Sequence, residues 1–323
     1  MWTFIARRLL ALPLLLLVVS FLTYFLMWVS PGDYFSRFAE DPTVSPETVA
    51  RMRHDAGLDR GLFLGWLVWA GNAATGHLGE SLELRRGVGG LVLERTGATL
   101  LLGVAALGIA WGAAIPLGVL AAVKRGQWFD RGAGLLAYFG LSIPAVFLAM
   151  LMILFAAATG WFPVGDMRSG VTHWSVMGVG ERVLDVLHHL TLPALVLGTV
   201  SMAGYMRQMR GNMLESLTQD YVRTAWAKGL GPGAVIGKHA LRPAINPIIT
   251  LFGFSLAHLL NGSFLVEIVM NWPGMARLVF NALFAEDQPV VMASVLMAAT
   301  LLVIGNLLAD VLLGVADPRI RLG

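Results

Sequence analysis

The sequence contains no cysteine and few charged residues. Of its 323 residues, 57% are hydrophobic and only 13% are Asp, Glu, Lys or Arg, whereas soluble domains carry about 25% charged residues. The absence of cysteine excludes disulfides and thiolate metal sites. The shortage of charge leaves too little polar surface for a soluble domain of this length, so the composition indicates a membrane protein.

Six apolar stretches reach or approach the roughly 20 residues that a helix needs to cross a bilayer. They are residues 9–29, 98–122, 133–158, 190–206, 244–266 and 290–314. Because a helix satisfies its own backbone hydrogen bonds in lipid, we predict an all-α integral membrane protein with six transmembrane helices. The first stretch is longer than the apolar region of a cleavable signal peptide, about 7–15 residues, so we expect a retained span.

These spans predict a division of the chain into four parts. Residues 1–29 form the first transmembrane helix, 30–96 an extracytoplasmic segment with short helices, 97–314 a five-helix core that contains the loop 209–243, and 315–323 a cytoplasmic tail. Residues 62–70, with two tryptophans, are apolar but too short to span. We expect an interfacial or protein-packed helix there, with substrate binding through Trp66 or Trp69 as the alternative.

Positive charge is concentrated on one side of the predicted bundle. The N-terminus, the connections after spans two and four, and the C-terminus together hold 13 basic and five acidic residues. The rest of the chain holds 10 basic and 15 acidic residues. Cytoplasmic segments are enriched in Lys and Arg, so we predict that both termini and the loop 209–243 are cytoplasmic.

The most polar part of this loop, DYVRTAWAKGLGPGAVIGKHALRP, reads as two short helices. Apolar residues recur at helical spacing before and within its first helix and predict one apolar face that needs a partner. They are Leu214, Leu217, Tyr221 and Ala225. A basic helix–Gly–helix unit between two apolar spans suggests a docking device.

Glycine and proline set the expected ends of the two helices. Lys228 in the last turn, followed by Gly229, predicts the end of the first helix. Pro232 suits the first position of the second helix, and Pro243 is expected to end it. In span two, Gly108 and Gly112 have the spacing that permits close helix approach.

Polar residues recur on one face of span five. Ser255, His258 and Asn261 follow at three-residue steps and so lie on the same side of a helix. Polar groups at this depth face a bundle interior or a water-filled path. We predict that these three line the substrate pathway, with hydrogen bonding between helices as the alternative.

Three enzyme-like patterns lack the context that their chemistry needs. Gly237-Lys238 has neither the glycine nor the Ser/Thr of a phosphate-binding loop. The glycines around Pro232 match a dinucleotide fingerprint, but no strand precedes them. Ser255 and His258 lack a nucleophile turn and an oxyanion donor. Adjacent His188 and His189 point about 100° apart on a helix and do not suit a shared ion. We therefore predict no catalytic residue, cofactor or metal.

The stretch DYVRTAWAKGLG resembles the EAA-type coupling motif of binding-protein-dependent ABC importer permeases, in particular the dipeptide, oligopeptide and nickel branch. Other stretches extend this resemblance over nearly the whole chain: ARRLL, PGD, GLDRGL, GESL, AAVKRGQWFD, HALRPA, VEIVMNWPGMARL and DPRIR. Two departures occur. The motif's opening Glu-Ala-Ala is Arg223-Thr224-Ala225 here, and its distal Leu-Pro is Leu241-Arg242-Pro243.

The resemblance implies a type I ABC importer permease in a bacterial inner membrane, forming half of a pathway for short peptides. The implied partners are a homologous second permease subunit, two cytoplasmic ATPase subunits that hydrolyse ATP, an extracytoplasmic solute-binding protein and the lipid bilayer, without nucleic acid. Nickel chelates, glutathione or another peptide-like solute are alternative substrates, and an ion-coupled secondary transporter is the alternative class. The implied ATPase-coupling residues are Asp220, Tyr221, Arg223, Thr224, Ala225, Lys228, Gly229, Leu230 and Gly231.

Overall fold

The structure, a computed structural model, is predominantly helical over the residues that it describes. It describes the backbone of residues 2–316 and the side chains of residues 10, 12–249 and 263–308. No β-strand occurs in that range. The helices in chain order are α1 (Trp2–Val29), α2 (Ser36–Ala39), α3 (Pro46–Asp55), α4 (Leu62–Ala74), α5 (Val88–Val123), α6 (Trp128–Ser142), α7 (Ala145–Thr159), α8 (Val171–Val176), α9 (Val179–Leu217), α10 (Asp220–Ala227), α11 (Pro232–Ala234), the π-helix Val235–Ala240, α12 (Leu241–Val269), α13 (Met275–Phe284) and α14 (Gln288–Ala316).

Four of the described helices are long and apolar enough to cross a membrane. They are α1 over Leu12–Val29, α5, α9, and α14 over Gln288–Leu308. The fifth predicted span, 244–266, lies within α12, but the side chains of residues 250–262 are outside the described part of the chain. The all-α prediction is confirmed, while the count of six spans stays a prediction.

The third predicted span, 133–158, is not one straight helix. It is divided between α6 and α7, whose axes differ by 98°. Ile143 between them is extended, with ψ of 119°, and Pro144 follows it. A proline ring clashes with an α-helical residue before it, so Pro144 ends α6. The two helices together count as one broken span or as a re-entrant pair.

The described chain forms two compact units. The first contains the described chain up to Ala98 together with Gly274–Ile304. The second contains Thr99–Pro273 together with the described chain from Gly305. The predicted domain boundaries at residues 29, 96 and 314 stay predictions.

In the first unit, the apolar helix α4 packs against α1. The indole Nε1 of Trp66 donates to Ser20 Oγ at 3.2 Å, and Phe21 contacts the rings of both Trp66 and Phe63. Gly65 faces the Tyr24 hydroxyl so closely that a Cβ there would lie 2.0 Å from it. The expectation of a protein-packed helix at 62–70 is therefore confirmed.

Charged residues order the segment that follows α1. Asp33 accepts hydrogen bonds from Arg53 at 2.6 and 3.1 Å and from the Phe35 N–H at 3.0 Å. Farther along, buried Asp287 accepts from Ser81 Oγ at 2.6 Å and from the Glu83 N–H at 3.2 Å. These hydrogen bonds fix the positions of the loops between the helices of the first unit.

In the second unit, two glycines allow helices to cross at short distance. A Cβ on Gly118 of α5 would lie 2.8 Å from the Met206 carbonyl oxygen of α9. A Cβ on Gly198 of α9 would lie 2.9 Å from the Ala106 carbonyl oxygen of α5. A Cβ on Gly108 or Gly112, predicted for this role, would meet no atom within 4 Å among the described residues. The described crossing is made by Gly118 and Gly198, and the role of Gly108 and Gly112 stays a prediction.

We expect Gly118→Ala to lower the free energy of unfolding by about 1–3 kcal/mol, because the neighbouring backbone atoms of α9 cannot yield to a new methyl group. Unfolding of the purified subunit in detergent measures this change. Gly112→Ala on the same helix is the matched control. It should be neutral, or stabilising by up to about 1 kcal/mol through helix propensity. Equal effects of the two substitutions would contradict the assigned crossing.

Candidate functional site

The loop after α9 is a compact two-helix unit, which we call the coupling segment (Asp220–Ala240). The predicted first helix is interrupted, since α9 ends at Leu217 and α10 begins at Asp220. The break changes which face is buried. Val222 and Ala225 are the buried residues of α10, whereas Tyr221 is 43% exposed. Of the predicted apolar face, Ala225 is buried within the chain and Tyr221 remains exposed.

Apolar contacts fix the coupling segment to the ends of longer helices. Its inward residues belong to one core with residues of α5, α9 and α12. The buried members of this core are Ala122, Met209, Met213, Val222, Ala225, Val235, Ala240, Ala244 and Ile248. Burying such side chains stabilises the attachment by about 0.8 kcal/mol per methylene group. The segment is thus a packed part of the fold.

A buried serine connects the end of α9 to two parts of the coupling segment. Ser216 Oγ donates to the Ala240 carbonyl at 2.8 Å. Because its one hydrogen is used there, it accepts from the Tyr221 hydroxyl, 2.9 Å away. The two bonds join the end of α9 to α10 and to the π-helix. Buried polar groups need such partners.

Gly229 ends α10 in a left-handed conformation, as predicted. Its φ is +73°, a value that costs an L-residue about 1–2 kcal/mol. The Gly229 N–H bonds to the Trp226 carbonyl at 2.9 Å, and the Leu230 N–H bonds to the Ala225 carbonyl at 3.3 Å. This pair of bonds is a Schellman motif, which satisfies the last carbonyls of the helix and reverses the chain.

The second helix of the segment does not end at Pro243. Pro232 occupies a first helical position, as predicted. The chain then forms the π-helix Val235–Ala240 and continues directly into α12. A proline ring clashes with the carbonyl four residues earlier in an α-helix. The π-helix before Pro243 replaces the α-turn in which that clash would occur, so the helix continues through the proline.

The outward face of the segment combines apolar and polar groups. Tyr221, Trp226 and Leu230 are 43%, 47% and 38% exposed. The other predicted coupling residues, apart from buried Ala225, are exposed as well: Asp220, Arg223, Thr224, Lys228, Gly229 and Gly231. Large apolar side chains grouped on a solvent-facing surface mark interaction sites. Sequence analysis missed Trp226, which is exposed one helical turn after buried Val222. Its place within the stretch DYVRTAWAKGLG is the signal that could have identified it.

Two features bear on the predicted pathway. Ser255, His258 and Asn261 lie on the helical backbone of α12, but their side chains are outside the described residues. Glu267, two turns beyond Asn261, is fully buried and accepts hydrogen bonds from Thr99 Oγ1 at 2.7 Å and Ser263 Oγ at 3.0 Å. Sequence analysis did not single out Glu267, although it lies in the stretch VEIVMNWPGMARL.

The predicted histidine pair has separate partners. His188 Nε2 lies 2.8 Å from the Trp161 carbonyl oxygen, and His189 Nδ1 lies 2.8 Å from the Asp185 carbonyl oxygen. Within the residues that the structure describes, no group of three or more His, Asp or Glu side chains has the arrangement of a metal site.

Several described helices are long and apolar, and an exposed helix pair packs on the ends of two of them; together they indicate a multi-pass α-helical membrane protein. Its family follows from comparison. The family description "Binding-protein-dependent transport system inner membrane component" matches residues 114–322, and the corresponding N-terminal description matches residues 1–100. The chain belongs to this family of inner-membrane transport components.

Curated relatives match over nearly their whole length. The chain is 39% identical to the di/tripeptide transport system permease protein DppB of Pseudomonas aeruginosa, over 99% of both chains. It is 38% identical to the dipeptide transport system permease protein DppB of Escherichia coli K12, again over 99% of both. It is 37% identical to the oligopeptide transport system permease protein AppB of Bacillus subtilis, over 98% of both. The resemblance to this branch is confirmed.

A solved structure shows the same fold. A chain from the inward-facing MetNI methionine ABC transporter superimposes with a TM-score of 0.54 at 18% sequence identity. The match covers 70% of this chain and 96% of that one. The likeness supports a type I ABC permease-like arrangement of helices.

We expect Ser216→Ala to loosen the coupling segment, because it leaves the buried Ala240 carbonyl without its donor. Such a loss costs about 1–3 kcal/mol and raises the open population roughly 5-fold to 150-fold. The rate of tryptic cleavage after Arg223 and Lys228 in the purified subunit measures this opening. Thr218→Ala, which removes an exposed hydroxyl bonded only to Glu215, is the control. Equal cleavage rates of the two variants would show that the Ser216 hydrogen bonds do not hold the coupling segment in place.

Proposed function

We propose that this chain is the permease subunit of an ATP-driven importer and forms half of the pathway for short peptides. The observation that carries this proposal is the coupling segment, a solvent-exposed surface held rigidly on the ends of membrane helices. Family membership supports the transport role. The names of the curated relatives, which specify dipeptides, tripeptides and oligopeptides, support the substrate class.

The segment receives movement from a partner ATPase in this proposal. Tyr221, Trp226 and Leu230 provide apolar contact area, and exposed Arg223 and Lys228 provide charge at its edge. Buried Ala225 holds α10 in place through its contacts with the apolar core. The chain itself hydrolyses nothing, because the proposed ATP hydrolysis takes place in two cytoplasmic ATPase subunits. Closure of those subunits would switch the membrane subunits between inward-open and outward-open arrangements.

The remaining parts of the importer surround this subunit. A homologous second permease completes the pathway as a heterodimer, and an extracytoplasmic binding protein delivers the peptide. The excess of basic residues around the coupling segment supports a cytoplasmic position for this segment and for both termini, with six spans as the proposed count. Selectivity rests largely with the binding protein, so nickel chelates or glutathione are alternative cargoes for the same machinery.

Gly229→Val should uncouple ATP hydrolysis from transport. Valine cannot adopt the positive φ of Gly229 without about 1–2 kcal/mol of strain, a factor of roughly 5–30 in the population of the correct turn. Uptake of a labelled dipeptide and ATP hydrolysis, both measured in vesicles containing the assembled complex, test this. We expect uptake to fall roughly tenfold while hydrolysis persists.

Two variants make this test specific. Gly229→Asn should retain uptake, because asparagine tolerates the left-handed region. Gly233→Ala should also retain it, since Gly233 lies in α11 outside the predicted coupling residues and no atom lies within 4 Å of the place that a methyl group would take there. Normal uptake by Gly229→Val would contradict the proposed coupling role. Uptake driven by an ion gradient without any ATPase would instead favour a secondary transporter.

We also propose that Ser255, His258 and Asn261 line the pathway, with hydrogen bonding between helices as the alternative. Because the chain has no native cysteine, single cysteines at these positions can be labelled without background. A soluble thiol reagent should modify them in at least one stage of the transport cycle. A cysteine at Leu154, which is exposed on the apolar helix α7 and which we expect to face lipid, is the control that should resist the reagent. Absence of labelling at all three positions in every state would exclude the pathway role.

A further inference from the structure

A groove between α6 and α9 lies in the second unit, beside the coupling segment in sequence but separate from its residues. Its volume is about 510 Å³. One part of the wall is apolar, from Leu135, Tyr138 and Leu141 of α6 and Met206 of α9. The other part carries charged residues of both helices. We call this feature the α6–α9 groove.

The one acid that lines the groove is fully engaged. Asp130 accepts from Arg210 Nε at 2.6 Å and from Arg210 Nη2 at 2.8 Å. It also accepts from the Gly126 N–H at 2.9 Å. This bidentate pair fixes α6 to α9 and neutralises Asp130. The pair adds no net charge to the groove.

Two further arginines of the groove are not neutralised. Arg131 and Arg207 line it and are exposed. Their guanidinium groups make no ion pair or hydrogen bond with the residues that the structure describes. Each can present a planar fork of N–H donors, which matches the geometry of a phosphate group. The groove therefore has two positive charges available to a ligand.

Both arginines lie where apolar helix gives way to polar sequence. Arg207 directly follows the apolar residues 190–206, and Arg131 lies two residues before the stretch 133–158. The ion pair between Asp130 and Arg210 joins the two helices at the same level. In a bilayer this is the boundary between hydrocarbon and headgroups. The exposed side chains of Leu135, Tyr138 and Leu141 continue from there along α6.

We propose that the α6–α9 groove binds an anionic phospholipid. Its phosphodiester lies between Arg131 and Arg207, and an acyl chain lies along Leu135, Tyr138 and Leu141. Basic pockets between transmembrane helices bind such headgroups. A zwitterionic lipid brings its own cation, whereas two uncompensated arginines complement a headgroup of net negative charge. The proposed lipid site does not depend on which substrate is transported.

Native mass spectrometry of the full-length chain in mild detergent tests the site. We expect phosphatidylglycerol to bind in preference to phosphatidylcholine, and millimolar inorganic phosphate to leave it bound because phosphate has no acyl chain. The double variant Arg131→Gln/Arg207→Gln should bind phosphatidylglycerol about 30-fold more weakly. The variant Lys238→Gln/Arg242→Gln loses the same charge outside the groove and should bind it normally.

Four results would overturn the proposal. They are equal binding of the two lipids, displacement by inorganic phosphate, an equal loss of affinity in the two double variants, and full affinity in Arg131→Gln/Arg207→Gln.

A cysteine at Leu135 gives an independent measurement in the assembled complex. Its crosslinking to a second permease subunit would show that protein, and not lipid, covers the groove. Its crosslinking to a photoactivatable phosphatidylglycerol would support the lipid site.

Discussion

The attachment of α10 to the ends of α9 and α12 is the interaction on which the proposed mechanism depends. Val222 and Ala225 are buried in the same core as Met209 and Ile248, so α10 cannot shift without moving those helices. Close packing makes interiors stiff. A loosely tethered loop with the same exposed side chains could bind a partner but could not transmit its displacement. The buried face is therefore as necessary for coupling as the exposed face.

Glycine serves two different purposes in this chain, and only one of them is visible in the sequence. Gly229 needs a positive φ and has no close neighbour. A lysine before it and a proline soon after it make that role predictable. Gly118 is needed for the opposite reason, since atoms of α9 lie against it. That contact depends on how two distant segments cross, which the spacing of Gly108 and Gly112 could not reveal.

Hydropathy and the order of short motifs were enough to predict the helical membrane class and the family, because both depend on composition and local spacing. The finer errors arose where neighbours decide the outcome. Pro144 breaks a span while Pro243 does not, because a π-helix lies before the second proline and an extended residue lies before the first. Tyr221 of the predicted apolar face is exposed, whereas Val222 beside it is buried. The exposure of Trp226 likewise depends on how α10 packs against its neighbours.

The π-helix Val235–Ala240 has a mechanical consequence. It joins the coupling segment to α12 without an intervening coil, so the helical backbone is continuous from Pro232 to Val269. No coil lies near Leu241 to absorb a displacement of the segment. A displacement of α10 would therefore be transmitted to α12 and would tilt that helix. The far end of α12 would then move a greater distance than the end that adjoins the coupling segment.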